Sequence, residues 1–185
     1  MAPPILIVPG WSGSGPEHWQ TLWQHELATA SRVEMPDWDH PTLVDWLATL
    51  DRAVRAAPSP PVLVAHSLGC IAIAHWAART PAPIRSALLV APPDLDRDDC
   101  PPTLRDFAPI PRARLPFASC VVASDDDPYT ELPRSLQMAF DWGSRLVLLD
   151  AAGHINTASN LGHWPEGRAL LDELVQSSTF GAACT

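Results

Sequence analysis

The chain has 185 residues, enough for one domain with a real core and too few for a second core beside it. Hydrophobic residues make up 46% and charged residues 18%, ordinary for a globular protein and unlike a disordered one. The formal net charge is −9 and the basic residues, all Arg, are dispersed, which excludes nucleic acid and anionic membrane as expected partners because phosphate binding needs clustered cations.

Met1-Ala2-Pro3-Pro4 carries no basic segment, and the apolar run Ile5 to Val8 is too short for a secretory signal. No apolar stretch approaches the roughly 20 residues that span a bilayer, so a soluble, cytoplasmic protein is expected. Ile5 to Val8 instead reads as a first strand, followed by a helix over Glu17 to Thr29 and a strand over Arg32 to Met35. In the next helix, Thr42 to Ala57, Leu43, Trp46, Leu47, Leu50 and Val54 recur at three- and four-residue steps and make one apolar stripe. A strand over Val62 to Ala65, a helix over Leu68 to Arg79 and a strand over Ser86 to Val90 come next. Between Pro92 and Pro116 seven prolines rule out a long helix or an interior strand. That stretch is expected to be a surface excursion with one short turn, where a fold of this kind carries a lid. Strands at Ala118 to Ala123 and Arg145 to Leu149 then flank a helix at Leu132 to Trp142, and a last helix runs from Pro165 to Gln176. Short apolar strands alternating with helices predict a single α/β domain over 1–185, a mainly parallel sheet with helices on both faces.

The four cysteines, Cys70, Cys100, Cys120 and Cys184, lie far apart without the spacing of a zinc site. Free thiols are the expectation, with a Cys100–Cys120 disulfide as the alternative.

The chemistry concentrates at strand ends. Val62-Leu63-Val64-Ala65-His66-Ser67-Leu68-Gly69 runs from an apolar strand through a serine into a helix, the setting of a nucleophile elbow. The turn strains the serine by about 1–3 kcal/mol and needs small neighbours, here Ala65 and Gly69. A hydroxyl is a poor nucleophile at neutral pH, so Ser67 needs a base and the base needs an acid to orient it. In the order serine, acid, histidine, only His154 and His163 follow an acid position. His154 stands just beyond the last strand, on the carboxyl edge that also carries Ser67, and is the better base. Asp125, Asp126 and Asp127 all end the preceding strand, and spacing alone does not choose among them. Donors for an oxyanion would be the N–H of Leu68 and of Trp11, the latter in the glycine-rich loop after the first strand. That loop lacks dinucleotide and Gly-Lys-Ser/Thr spacing, so nucleotide is not expected. Trp11 and Trp38, both in loops, are expected to wall an apolar acyl pocket.

Together these residues resemble the small serine hydrolases grouped with the retinoblastoma-binding serine hydrolase and its bacterial relatives, a compact branch of the α/β hydrolases. The likeness spans nearly the whole chain. It is carried by Pro9-Gly10-Trp11 with His18-Trp19-Gln20, by Ala65-His66-Ser67-Leu68-Gly69, by Ser124 through Tyr129, and by Gly153-His154-Ile155-Asn156 with Trp164-Pro165-Glu166-Gly167. The resemblance implies a sheet of about six strands, an acyl-enzyme route, no cofactor and no metal. It also implies that the acid is the Asp before the proline, Asp127. The expected reaction is hydrolysis of small esters, a carboxylesterase activity. The alternatives are a thioester or amide substrate, or a catalytically weak protein-binding member of the fold.

Overall fold

The computed structural model describes residues 2–79 and 82–180. Six parallel strands form one sheet: β1 Ile5–Val8, β2 Ala30–Arg32, β3 Val62–His66, β4 Ser86–Val90, β5 Ala118–Ser124 and β6 Arg145–Leu149. Their order across the sheet is β2-β1-β3-β4-β5-β6. Five helices cover it: α1 Trp19–Glu26, α2 Leu43–Ala56, α3 Leu68–Arg79, α4 Leu132–Trp142 and α5 Pro165–Phe180.

The central strands β1, β3 and β4 are buried at every position because both faces are covered, whereas the edge strands β2 and β6 are not. Successive residues point to opposite faces. Leu6, Val8, Leu63, Ala65, Ala87, Leu89 and Val121 join the α2, α3 and α4 side chains in one core. Ile5, Ile7, Val62, Val64, Leu88, Val90 and Val122 join α1 and α5 in the other. The apolar stripe of α2 is buried at Leu43, Trp46, Leu50 and Val54. Thr42 caps that helix by accepting from the Asp45 N–H, and Asp106 accepts from Leu43 N at 2.7 Å. At its other end α4 stops at Gly143, whose φ of 65° is the left-handed geometry a glycine C-cap supplies.

Two expectations are corrected. The second strand lies at Ala30–Arg32 rather than Arg32 to Met35, because only Ala30, Ser31 and Arg32 align with β1. Val33 and Met35, which suggested the later range, are buried beyond the end of the ladder. The first helix starts at Trp19, capped by the His18 ring, and stops at Leu27 so that the chain can turn into β2. The proline-rich stretch is irregular chain with one short turn and stands beside the cavity over Ser67, but its apolar residues are anchored. Leu95, Cys100, Leu104, Phe107, Ile110 and Leu115 are all part of a core, and a 3₁₀ helix spans Pro102–Phe107. His75 of α3 donates from Nε2 to the Phe107 carbonyl at 2.8 Å and ties the segment down.

Cys70, Cys100 and Cys120 are free thiols, which removes the Cys100–Cys120 alternative; Cys184 lies outside the described residues. Among the described residues no helix is long and apolar enough to cross a membrane, and no His, Cys, Asp or Glu cluster could hold a metal.

Candidate active site

Parallel pairing places the carboxyl ends of β1, β3, β4, β5 and β6 along one edge, and the loops leaving them converge there. Ser67 is the residue between β3 and α3, with φ at 53°, left-handed geometry that a side chain adopts only under strain. The tight crossing explains Gly69: a Cβ there would stand 2.5 Å from the Val8 carbonyl oxygen and 2.7 Å from that of Pro9. Gly10 is as confined, since its Cβ would stand 2.7 Å from the Cβ of Ser67. Trp11 N–H therefore follows directly on a residue packed against the serine. Leu68 N–H opens α3, where the first amides have no carbonyl partner within the helix.

The loop after β6 brings His154 to Ser67. His154 Nε2 lies 2.9 Å from Ser67 Oγ, and Nδ1 lies 3.0 and 2.9 Å from the two carboxylate oxygens of Asp127. A carboxylate only accepts, so the proton sits on Nδ1 and Nε2 is free to accept from the serine hydroxyl. His154 and Asp127 are both buried, so this pair is shielded from water.

The other two carboxylates of the turn hold backbone. Asp125 Oδ1 accepts from Ala151 N at 2.9 Å, and Asp126 Oδ1 accepts from Gly153 N at 2.6 Å and from the Ser124 hydroxyl at 2.7 Å. The Ser124 hydroxyl and the Gly153 amide hold the Asp126 carboxyl below its ordinary value. Ser124 Oγ accepts in turn from Ala152 N at 2.9 Å. Three consecutive amides before His154 are thus fixed by the end of β5.

Two histidines excluded as bases by chain order also reach the site. His66, the last residue of β3, is buried beneath Ser67, and its Nε2 donates to the His154 carbonyl at 2.9 Å. His18 accepts from Gln20 N through Nδ1 at 3.1 Å. Its ring stands 4.7 Å from His66, and His66 stands 4.9 Å from His154. Burial first, then Arg32 and His154, push His18 down to about 4. Burial, His154 and His18 push His66 well below the ordinary histidine value, so both stay neutral at pH 7. Gln20, wholly buried, donates to Val64 O at 3.0 Å and Val8 O at 3.3 Å while accepting from Ser14 Oγ at 2.7 Å, which locks the first loop to β1 and β3. The sequence signal for these roles was the placement of His66 beside the elbow serine and of His18 and Gln20 at the start of α1.

A cavity of about 630 Å³ opens above Ser67, lined by Trp11, Gly13, His18, Leu68, Pro93, Leu95, Leu104, Tyr129 and Asn156 among others. Arg97 and Asp99, paired with each other, stand on its outer wall. Trp11 is 41% exposed on the rim. Trp38 does not line the cavity. Its ring packs behind Gly13 and edge-on to Trp46, and its carbonyl accepts from Ser12 N, so the expectation for Trp38 as a pocket wall is corrected. His163 is exposed and pairs with Glu26, away from Ser67. Trp19, Trp23, Trp46, Trp76, Trp142 and Trp164 are buried packing residues.

Solved structures share this fold. A YdeN-like hydrolase from Pectobacterium atrosepticum is 28% identical over 95% of this chain and 91% of its own, with a TM-score of 0.85. The ydeN gene product of B. subtilis is 23% identical over 94% and 99%, with a TM-score of 0.78. Est1E from Butyrivibrio proteoclasticus shares the fold at 17% identity over 94% and 88%, with a TM-score of 0.69. Among curated proteins no sequence matches. A family model described as serine hydrolase matches residues 5–173. That range takes in the elbow, the acid turn and the histidine loop together, and the chain belongs to the serine hydrolase family.

Proposed function

We propose that the protein is a carboxylesterase of small esters, working through an acyl-enzyme with Ser67 as nucleophile, His154 as base and Asp127 as the acid that orients it. The observation that carries this reading is the contact of Ser67 Oγ with His154 Nε2 at 2.9 Å, made by a strained serine at a strand-to-helix turn. Ser67 Oγ attacks the ester carbonyl carbon while its proton passes to His154 Nε2. The carbonyl electrons move to oxygen, and the oxyanion is met by the N–H groups of Leu68 and Trp11, each donor worth about 3 kcal/mol in the transition state. Collapse re-forms the carbonyl and expels the alkoxide, which takes the proton from His154. Water then attacks the acyl-enzyme by the same route and frees Ser67. Asp127 keeps its proton-free form throughout and steadies the imidazolium. Leu68, Leu95 and Leu104 offer an acyl chain apolar surface, in keeping with an ester substrate.

The test pairs a fluorophosphonate probe with p-nitrophenyl esters of increasing length. The protein is expected to take up one label and Ser67→Ala none, with ester turnover falling about 10⁶-fold in the variant. Labelling that survives Ser67→Ala would overturn the assignment.

A further inference from the structure

We propose that His66 is a positioning residue for the reaction: its Nε2–H holds the backbone carbonyl of His154 and thereby keeps that imidazole aimed at Ser67. This rests on the reading of His154 as the base. The residue before the nucleophile is thereby joined, by one hydrogen bond of 2.9 Å, to the residue that takes its proton.

A carbonyl can only accept, so Nε2 of His66 carries the proton and Nδ1 is bare, one tautomer set by one contact. The bond works alongside others on the same loop. Trp19 Nε1 donates to the Ile155 carbonyl at 2.8 Å, while Asp125, Ser124 and Asp126 hold the amides of residues 151–153. Carboxylates and a hydroxyl therefore grip the loop by its N–H groups from β5, and ring N–H groups grip it by its carbonyls from β3 and α1. Ile155, at φ 50°, sits where the chain turns sharply between these two grips. Without the His66 contact, the carbonyl of the base-bearing residue itself is unheld.

The chemistry also explains why the donor is an imidazole. A neutral ring supplies an N–H without a positive charge beside His154, which must itself become positive during each turnover. An Arg or Lys in the same place would oppose that charge. His66 borders the cavity beside Ser67, but its hydrogen bond goes to the His154 backbone and not to a reacting atom, so its effect is on geometry, where a misplacement of about 1 Å costs about 100-fold.

The experiment compares His66→Gln, His66→Asn and His66→Leu. The Gln amide reaches as far as imidazole Nε2, the shorter Asn amide does not, and Leu has no donor. The expected order in kcat is wild type, then Gln within about 5-fold, then Asn and Leu about 10- to 100-fold down, with KM within about twofold throughout. Equal losses in all three variants, or no loss in Leu, would overturn the proposal, because a packing role does not distinguish Gln from Asn. A second measurement needs no variant. Nitrogen NMR of the wild-type protein at pH 7 is expected to show His66 protonated at Nε2 and bare at Nδ1, and the opposite tautomer would also overturn it. If wild type takes no fluorophosphonate label, the serine-hydrolase mechanism fails; if it labels and the His66 series is flat, only the positioning role fails.

Discussion

Gly10 and Gly69 show how little space the nucleophile turn leaves. A methyl at Gly69 meets the backbone oxygens of Val8 and Pro9, which can move only with the end of β1. Gly69→Ala is expected to cost about 1–3 kcal/mol of stability, read by denaturant unfolding. A methyl at Gly10 meets the Ser67 side chain instead. Gly10→Ala is expected to fold and to slow labelling of Ser67 by about 100-fold, because the displaced atom is the Cβ of the proposed nucleophile. A Gly10→Ala protein that labels at the wild-type rate would show that this contact does not position the serine. That Ser67 and His154 meet could be read from strand ends and chain order, because parallel strands bring those ends to one edge whatever lies between them. The choice among Asp125, Asp126 and Asp127 could not, because three consecutive carboxylates differ only in which way the turn aims them. In the fold, two of them accept from loop amides and one faces the imidazole.

The elements differ in how far sequence exposed them. Helix α2 was legible to within about two residues because its apolar residues recur at helical spacing, and in the fold Thr42 caps it. The second strand was displaced because burial of Val33 and Met35 mimics a strand while the hydrogen bonds stop at Arg32. The proline-rich segment was legible as irregular chain with one short turn, while the burial of its apolar residues was not. Proline forbids a long helix or an interior strand but does not forbid burial, and Leu104 and Phe107, both on the 3₁₀ turn, join the core that α2 and α3 share. This has a measurable consequence. Phe107, with no exposure at all, packs edge-on against Trp46 at 5.6 Å. Phe107→Ala is expected to cost about 3–5 kcal/mol, the range for removing a buried aromatic. An unmoved melting temperature would show that Phe107 does not anchor the segment.

At the scale of the whole molecule, the buried imidazoles couple the fold to pH. His18 titrates at about 4 against an ordinary 6.5, and His66 lies well below its ordinary value too, in both cases with burial as the largest cause. Between pH 6.5 and 4 the unfolded chain binds a proton at His18 that the folded chain refuses, so acid favours unfolding across that window. His18 alone accounts for a loss on the order of 3 kcal/mol by the lower end, and His66 acts in the same direction. Asp37, Asp51, Asp99 and Asp126 have carboxyls held below 3.8, so their contributions are lost only at more acid pH. The histidines therefore set the first part of the acid limb. His18→Asn separates the two jobs of that side chain, since Asn can still accept from Gln20 N at the start of α1 and carries no titrating group. Unfolding free energies measured at pH 7, 5.5 and 4.5 are expected to fall steeply for wild type and less steeply for His18→Asn. Parallel slopes for the two proteins would mean that His18 is protonated alike in the folded and unfolded chains, against its burial between α1 and the elbow.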